Sequence, residues 1–561
     1  MAVRANDGSA GPRNQARAPL RAPIPRYTND RLNNPSGGLA LAGVAAAASA
    51  VLYQLSSLEP ALWPCALLAP LPVLATAPEV RTAAAAQLAF FAYLIGNLGA
   101  WGGESFAVPL ANTFVSHLAG AIVFATFVAC ATEATRRWSG ILAALVFPTF
   151  ETAFYFTLGQ QSPHGTWGSP AYSLVAFLPL LQTASWLGMC GVMFIMSLLP
   201  SGLAVAWYRR RWNMKWIEPA ILAGGVFIVA IVLGWIRLIW TPSTPSVRVA
   251  MVASDQFIPQ AESNDVSDAA DIVTLYASLV RQVATQGVQI VVLPEKVVGV
   301  APSYEWDVVT GFQRIATMSH VWLVVGLNQI DRTPKRNIAI VIGPDGKIVA
   351  AYAKHHPIPD LEDDYKAGTQ PAIFDAPWGR TAVLISQDLD FPDVARELAN
   401  RDVRVVMAPA SDWSGSELIH EQMAVVRGVE SGFSIARSAR GGMVSATDDR
   451  GRELVAHASL SDKNAVATAD LPMGTGATLY SRTDDWFGHL CAIFTILLMM
   501  RLAISIWYAA RMRRLGALDR ITHPGVVSVD VGKARDDAQQ KVDEEEDRIY
   551  RPPTTRPPQS S

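Results

Sequence analysis

At 561 residues the chain is long enough for two or more domains, and half of it is hydrophobic while only 17% is charged. That balance excludes an ordinary soluble enzyme and calls for segments buried in a bilayer. A formal net charge of −2, with the basic residues in short clusters between apolar runs, gives no case for nucleic-acid binding. The four cysteines, Cys65, Cys130, Cys190 and Cys491, all fall inside apolar runs. The long hydrophilic stretch at 246–480 therefore has neither a disulfide framework nor a cysteine-based metal site.

Residues 1–36 combine Arg4, Arg13, Arg17, Arg21, Arg26 and Arg31 with Pro, Gly and Asn, and read as a disordered cytoplasmic arm. They lack the short apolar core and small-residue cleavage site of a secretory signal. Apolar stretches of spanning length follow at 38–57, 61–78, 83–101, 111–132, 139–157, 185–207 and 219–240, giving a transmembrane domain over 37–242 with about seven helices. A last span is expected within 484–510, and 511–561 reads as a basic, then disordered, cytoplasmic tail with an acidic run at Asp543–Asp547. Arg81, Arg136/Arg137, Arg209/Arg210/Arg211 and Arg511/Arg513/Arg514 all fall on one face of about eight helices. That face is cytoplasmic by the positive-inside rule, so both termini are expected inside. Glu104, the loop from Gln160 to Tyr172 and the 246–480 domain are then expected on the outer face; Arg501, inside the last span, is the misfit among the basic residues.

Within 246–480 short β-type runs alternate with helical stretches. Strands are expected at Val247–Ala253, Gln289–Leu293, Trp322–Asn328, Ile338–Ile342, Ile348–Ala353, Thr381–Ile385, Val403–Ala408 and Ser434–Ser438, with a final pair near 442–456. Helices are expected at 265–286, 304–319, 392–400 and 416–432. Gly343-Pro344-Asp345-Gly346 and Asp448-Asp449-Arg450-Gly451 read as hairpin turns. The mixture predicts an αββα sandwich, sheets with helices on their outer faces.

Three strand ends carry candidate chemistry. Glu295 follows an apolar strand in VVLPEKVV, at the end where α/β proteins commonly bind ligands. Lys354 ends another strand in AYAKHHPIP, with Glu362 eight residues on. Taken singly, each is a surface charge. The adjacent His355 and His356 have no third ligand spaced with them, so no metal site is expected. The third end is LISQDLDFP, a buried strand running into a sharp polar turn before a helix, the kind of elbow that holds a nucleophile above a sheet.

LISQDLDFP resembles the nucleophile elbow of the nitrilase (carbon-nitrogen hydrolase) superfamily, C-Y-[DE]-x-x-F-P, with Ser386 where that family has cysteine. Glu, then Lys, then a nucleophile, each after its own strand, is that superfamily's order. With about seven spans before the domain and one after, the chain resembles the bacterial apolipoprotein N-acyltransferases over roughly residues 38–510. PASDWSG and HEQMAVVRGVESG are similar to further strings of that family. The resemblance implies a bacterial inner-membrane enzyme with its α/β domain on the periplasmic face and no metal or organic cofactor. A phospholipid would be the acyl donor and the N-terminus of a lipoprotein the acceptor. It further implies Glu295 as general base, Lys354 and the Gln387 N–H as oxyanion donors, and Ser386 as nucleophile, with Glu362 and Asp388 in support. A serine hydroxyl is a far weaker acid than a thiol, and the segment from Lys354 to Ser386 carries Asp360, Glu362, Asp363 and Asp364 instead of an apolar cover. Two alternatives follow: a pseudoenzyme that binds lipid or lipoprotein without turnover, and a Ser-dependent amide or ester hydrolase. A transporter is disfavoured by the large extramembrane domain.

Overall fold

The computed structural model describes residues 35–98, 110–240, 242–258, 263, 265–412, 416–459 and 464–522. The arginine-rich arm, Glu104, the tail from 523 and Trp413 of the PASDWSG string lie outside the described residues. Residues up to Leu497 form one compact unit; a second begins at Leu498, within the helix Trp486–Thr522.

Among the described residues, seven helices are long and apolar enough to cross a membrane: Gly38–Ser56, Pro60–Glu79, Phe114–Arg137, Gly140–Gln161, Ala184–Arg211, Ile217–Ile239 and Trp486–Met512. The run at 83–101 yields the shorter helix Thr82–Gly96, 15 residues long. Pro60–Glu79 is broken into short helical pieces because Pro60, Pro64, Pro70, Pro72 and Pro78 each remove a backbone donor.

Two sheets follow. The seven-stranded sheet contains β1 (Ser246–Ser254), β2 (Ile290–Val292), β3 (Val298–Val300), β4 (Trp322–Gln329), β5 (Arg336–Ile342), β6 (Ile348–Ala353) and β13 (Asn464–Pro472). Its order is β13-β1-β2-β4-β5-β6, with β3 beside β4. The second sheet, in the order β12-β11-β10-β9-β8-β7, contains β7 (Ala372–Ala376), β8 (Gly379–Val383), β9 (Val405–Ser411), β10 (Ser434–Arg440), β11 (Met443–Thr447) and β12 (Glu453–Ala458).

Alternation along β1 shows why the layers form. Val249 and Met251 pack between the sheets with Val383, Val405 and Ile435, while Ala250 and Val252 face Ile272, Leu279 and Phe312 of the helices Val266–Ala284 and Glu305–Ser319. A strand buried on both faces reads as an unbroken apolar run, as this one does. Outside the second sheet lies the helix Glu417–Ser431, whose Met423, Val426 and Val429 share a core with Tyr172, Leu180 and Met193 of the membrane half. The αββα arrangement matches the sequence-based expectation. The strands β3, β7 and β13 were not expected. β3 has only three residues, and β13 is alanine-rich, so its extended form comes from nine residues of pairing with β1.

Candidate active site

Glu295 is set at the end of β2 by backbone pairing on two sides. Its N–H donates to the Ala410 carbonyl at 3.2 Å, and Val297 N–H donates to Gly326 O at 2.9 Å. Gly326 allows this close approach, since a Cβ there would lie 2.2 Å from Pro294 O. The Glu295 carboxylate is 2% exposed. Its Oε1 accepts from Asn337 Nδ2 at 2.5 Å and from Lys354 Nζ at 2.9 Å, whereas Oε2 is buried and accepts no hydrogen bond.

Lys354, 1% exposed, follows β6, and its Nζ also donates to Glu362 Oε2 at 2.8 Å. Glu362 is held by Ile358 N–H at 2.9 Å, Asn337 Nδ2 at 3.0 Å and Lys296 Nζ at 2.5 Å. Burial works against the Lys354 ammonium, but Glu295 and Glu362 outweigh it and raise its pKa above the usual lysine range. Burial likewise pushes Glu362 up, yet Lys354 and Lys296 prevail and hold that carboxyl at about 2. Lys354 is therefore a permanent ammonium near neutrality, suited to stabilising an oxyanion and unsuited to acting as a base.

β8 leads through Leu384 and Ile385 into a 3-10 turn, Ser386–Asp390, and then the helix Pro392–Asn400. Ser386 has φ +43, a left-handed conformation that costs a non-glycine residue about 1–2 kcal/mol. Such strain persists where surrounding contacts over-determine it, and it clusters at reactive elbows. The first bond of the turn runs from Asp388 N–H to Ile385 O at 2.9 Å, so the Gln387 N–H lies ahead of the turn's own bonding. The Gln387 side chain donates from Nε2 to Pro163 O at 3.3 Å, while its Oε1 is buried without a donor.

Asp388 joins the Ser386 turn to the Lys354 strand. Its carboxylate accepts from Tyr352 Oη at 2.8 Å, from the N–H groups of His355 at 3.1 Å and His356 at 2.9 Å, and from Ile385 N–H at 3.3 Å. His356 Nδ1 lies 3.2 Å away, and its ring stacks on Phe391. So Lys354 is one residue from a group bonded to Asp388, and Ser386 is two residues from Asp388. Consecutive Cα atoms are 3.8 Å apart, so the two strand ends meet in one place. With these contacts Asp388 is a brace between strands, with its oxygens already engaged.

Two members of the cluster escaped the sequence reading. Lys296 adjoins Glu295 and in an extended chain would point the other way, but its φ of +48 turns it inward to Glu362. Asn337 sits opposite Lys354 at the open end of the β5–β6 hairpin, and the Lys354 N–H donates to its carbonyl at 3.0 Å. The pairing register would have exposed it; no local motif does.

Residues 248–484 match the family described as carbon-nitrogen hydrolase. An apolipoprotein N-acyltransferase of Geobacter metallireducens is 24% identical over 492 residues, spanning 79% of this chain and 92% of that protein. A second, of Shewanella oneidensis, is 23% identical over 386 residues, 63% of this chain and 71% of its own length. A third, of Rhodopseudomonas palustris, is 25% identical over 375 residues, 60% and 69% respectively. Among solved structures, an amidase from Nesterenkonia sp. aligns at 18% identity with a TM-score of 0.37, over 45% of this chain and 97% of that one. Residues 248–484 thus match the carbon-nitrogen hydrolase family, in a chain with membrane-length helices that is similar over most of its length to the bacterial apolipoprotein N-acyltransferases.

Proposed function

We propose that the protein is a membrane-bound N-acyltransferase, moving an acyl chain from a phospholipid to the N-terminus of a lipoprotein, with the sandwich on the periplasmic face of the inner membrane. The observation that supports this most is the free, buried Oε2 of Glu295, beside an ammonium and close in the fold to a strained Ser386 turn. In the first half-reaction Ser386 Oγ attacks the ester carbon of the donor and Glu295 takes its proton. Lys354 Nζ and the Gln387 N–H stabilise the oxyanion. The ester C–O bond breaks, and the proton passes to the departing glycerol oxygen. In the second the α-amine attacks the acyl-serine ester, its proton goes to Glu295, and Ser386 leaves with that proton restored.

A second reading, a lipid-binding protein without turnover, is favoured by one feature. Lys354 is locked as an ammonium, leaving one carboxylate to activate a hydroxyl of high pKa. Oxygen in place of sulfur slows the chemistry by about 2–4 kcal/mol, roughly thirty- to a thousand-fold. Intact-mass measurement after incubation with phospholipid separates the two. An acyl adduct is expected on the parent, absent from Ser386→Ala and formed faster by Ser386→Cys. If neither the parent nor Ser386→Cys is acylated, the transferase reading fails.

A further inference from the structure

The membrane half of the chain touches the nucleophile turn directly. Between the helices Gly140–Gln161 and Ala184–Arg211, Thr166 donates twice to the Asp390 carbonyl, from its N–H at 3.1 Å and from Oγ1 at 2.7 Å. Pro163 O receives the Gln387 side chain. The Trp167 ring meets His420 edge-on at 4.7 Å, and His420 Nδ1 is 3.7 Å from Asp390 Oδ1. Gly165 has φ +55, and a Cβ there would lie 2.5 Å from Asp390 O, so any side chain would push the turn away. Ser386 holds a left-handed backbone that needs fixing from outside. Asp388 fixes the middle of the turn, and Thr166 fixes its far end.

We propose that residues 163–167 are a positioning loop for the nucleophile: Thr166, anchored in the membrane domain, sets the Asp390 end of the turn and so aims the reactive atom of residue 386. This rests on the reading of Ser386 as nucleophile, but its test needs no acyl donor. In the Ser386→Cys protein, iodoacetamide alkylation at position 386 is timed by peptide mass spectrometry, alongside thermal unfolding in detergent. Adding Thr166→Val is expected to slow alkylation roughly tenfold, the effect of losing a buried hydrogen bond at a reacting centre. Thr166→Ser, which keeps the hydroxyl, is expected to leave the rate at the parent value. Tyr172→Phe removes the hydroxyl that bonds Thr166 and Arg427 without reaching Asp390, and is expected to lower the melting temperature while leaving the rate unchanged. If Thr166→Val does not fold, Gly165→Ala takes its place with the same expected loss. An unchanged rate in the loop variant, or an equal loss in Tyr172→Phe, overturns the proposal. If Ser386→Cys forms no acyl adduct, the transferase reading falls while the alkylation comparison still stands.

Discussion

Two of the buried ion networks among the described residues differ in what they leave over. At the seam between sandwich and membrane helices, Glu430 accepts from Met189 N–H at 2.6 Å with Oε1 and from Arg427 with Oε2. Arg427 in turn reaches Tyr172 Oη at 3.0 Å and Thr166 Oγ1 at 3.3 Å. Both oxygens of that carboxylate are committed, and the network joins the sandwich to the apolar helices. In the strand-end cluster Glu295 commits only Oε1, to Asn337 and Lys354, and keeps Oε2 buried and unused. A buried charge pair alone does not mark an active site, because structural pairs are buried too. The acceptor held in reserve is what the proposed base has and the seam carboxylate lacks.

The largest effect that would break this comparison comes from Glu295→Gln. It keeps the shape and removes the proton acceptor, and acyl transfer per folded molecule is expected to fall roughly 10²- to 10⁴-fold, while Glu362 still pairs with Lys354 and limits the loss of stability. Transfer near the parental rate would make the reserve oxygen a bystander. Next is Glu430→Gln, which leaves Arg427 buried without its anion. Stability is expected to drop by about 3 kcal/mol in denaturant unfolding, with turnover per folded molecule retained. A loss confined to turnover would make the seam part of the chemistry.

The smallest effect sharpens the contrast with a third carboxylate. Glu421 is buried, has an unpartnered Oε1 and, among the described residues, is bonded to no cation. Burial, aided by Glu453 and opposed by Arg437, raises its pKa to about 7. The folded state then binds this proton more tightly than the unfolded state, whose carboxyl has the ordinary value of 4.5. Stability is therefore expected to decline as pH rises from 4.5 through 7 and to level off above. Glu421→Gln should remove that slope, with a gain of about 2–3 kcal/mol near pH ~8 and none near pH ~4. Equal gains at both pH values would show that the carboxyl is not the cause.

Much of the sandwich was legible because its strands are long, apolar and bounded by clear turns. Glu295, Lys354 and Ser386 stood out because each follows its own expected strand, although β6 before Lys354 is largely exposed. What stayed hidden depended on backbone twist or on pairing across the sheet. The left-handed φ at Lys296 reverses the side that alternation assigns to it, and Asn337 joins the cluster only through the β5–β6 register. Asp388 was legible as a member of the elbow string, but its role as a brace to His355 and His356 lies in three dimensions. The strings around Arg427 and Glu430 could be read as family-like, while their contacts to Tyr172 and Met189 reach more than 200 residues back along the chain.

The pairing of β1 with β13 bears on how the domain is made. Ser246–Ser254 lies between β2 and β13, so the earliest strand to leave the ribosome is completed by the last, from Asn464↔Ser254 to Pro472↔Ser246. Until that last segment has been synthesised, one edge of the strand carrying Val247, Val249 and Met251 has no partner. Chains cut short before residue 464 would present a nine-residue apolar edge to one another, a template for aggregation. The first strand of the sandwich is therefore covered only once its final strand has been made.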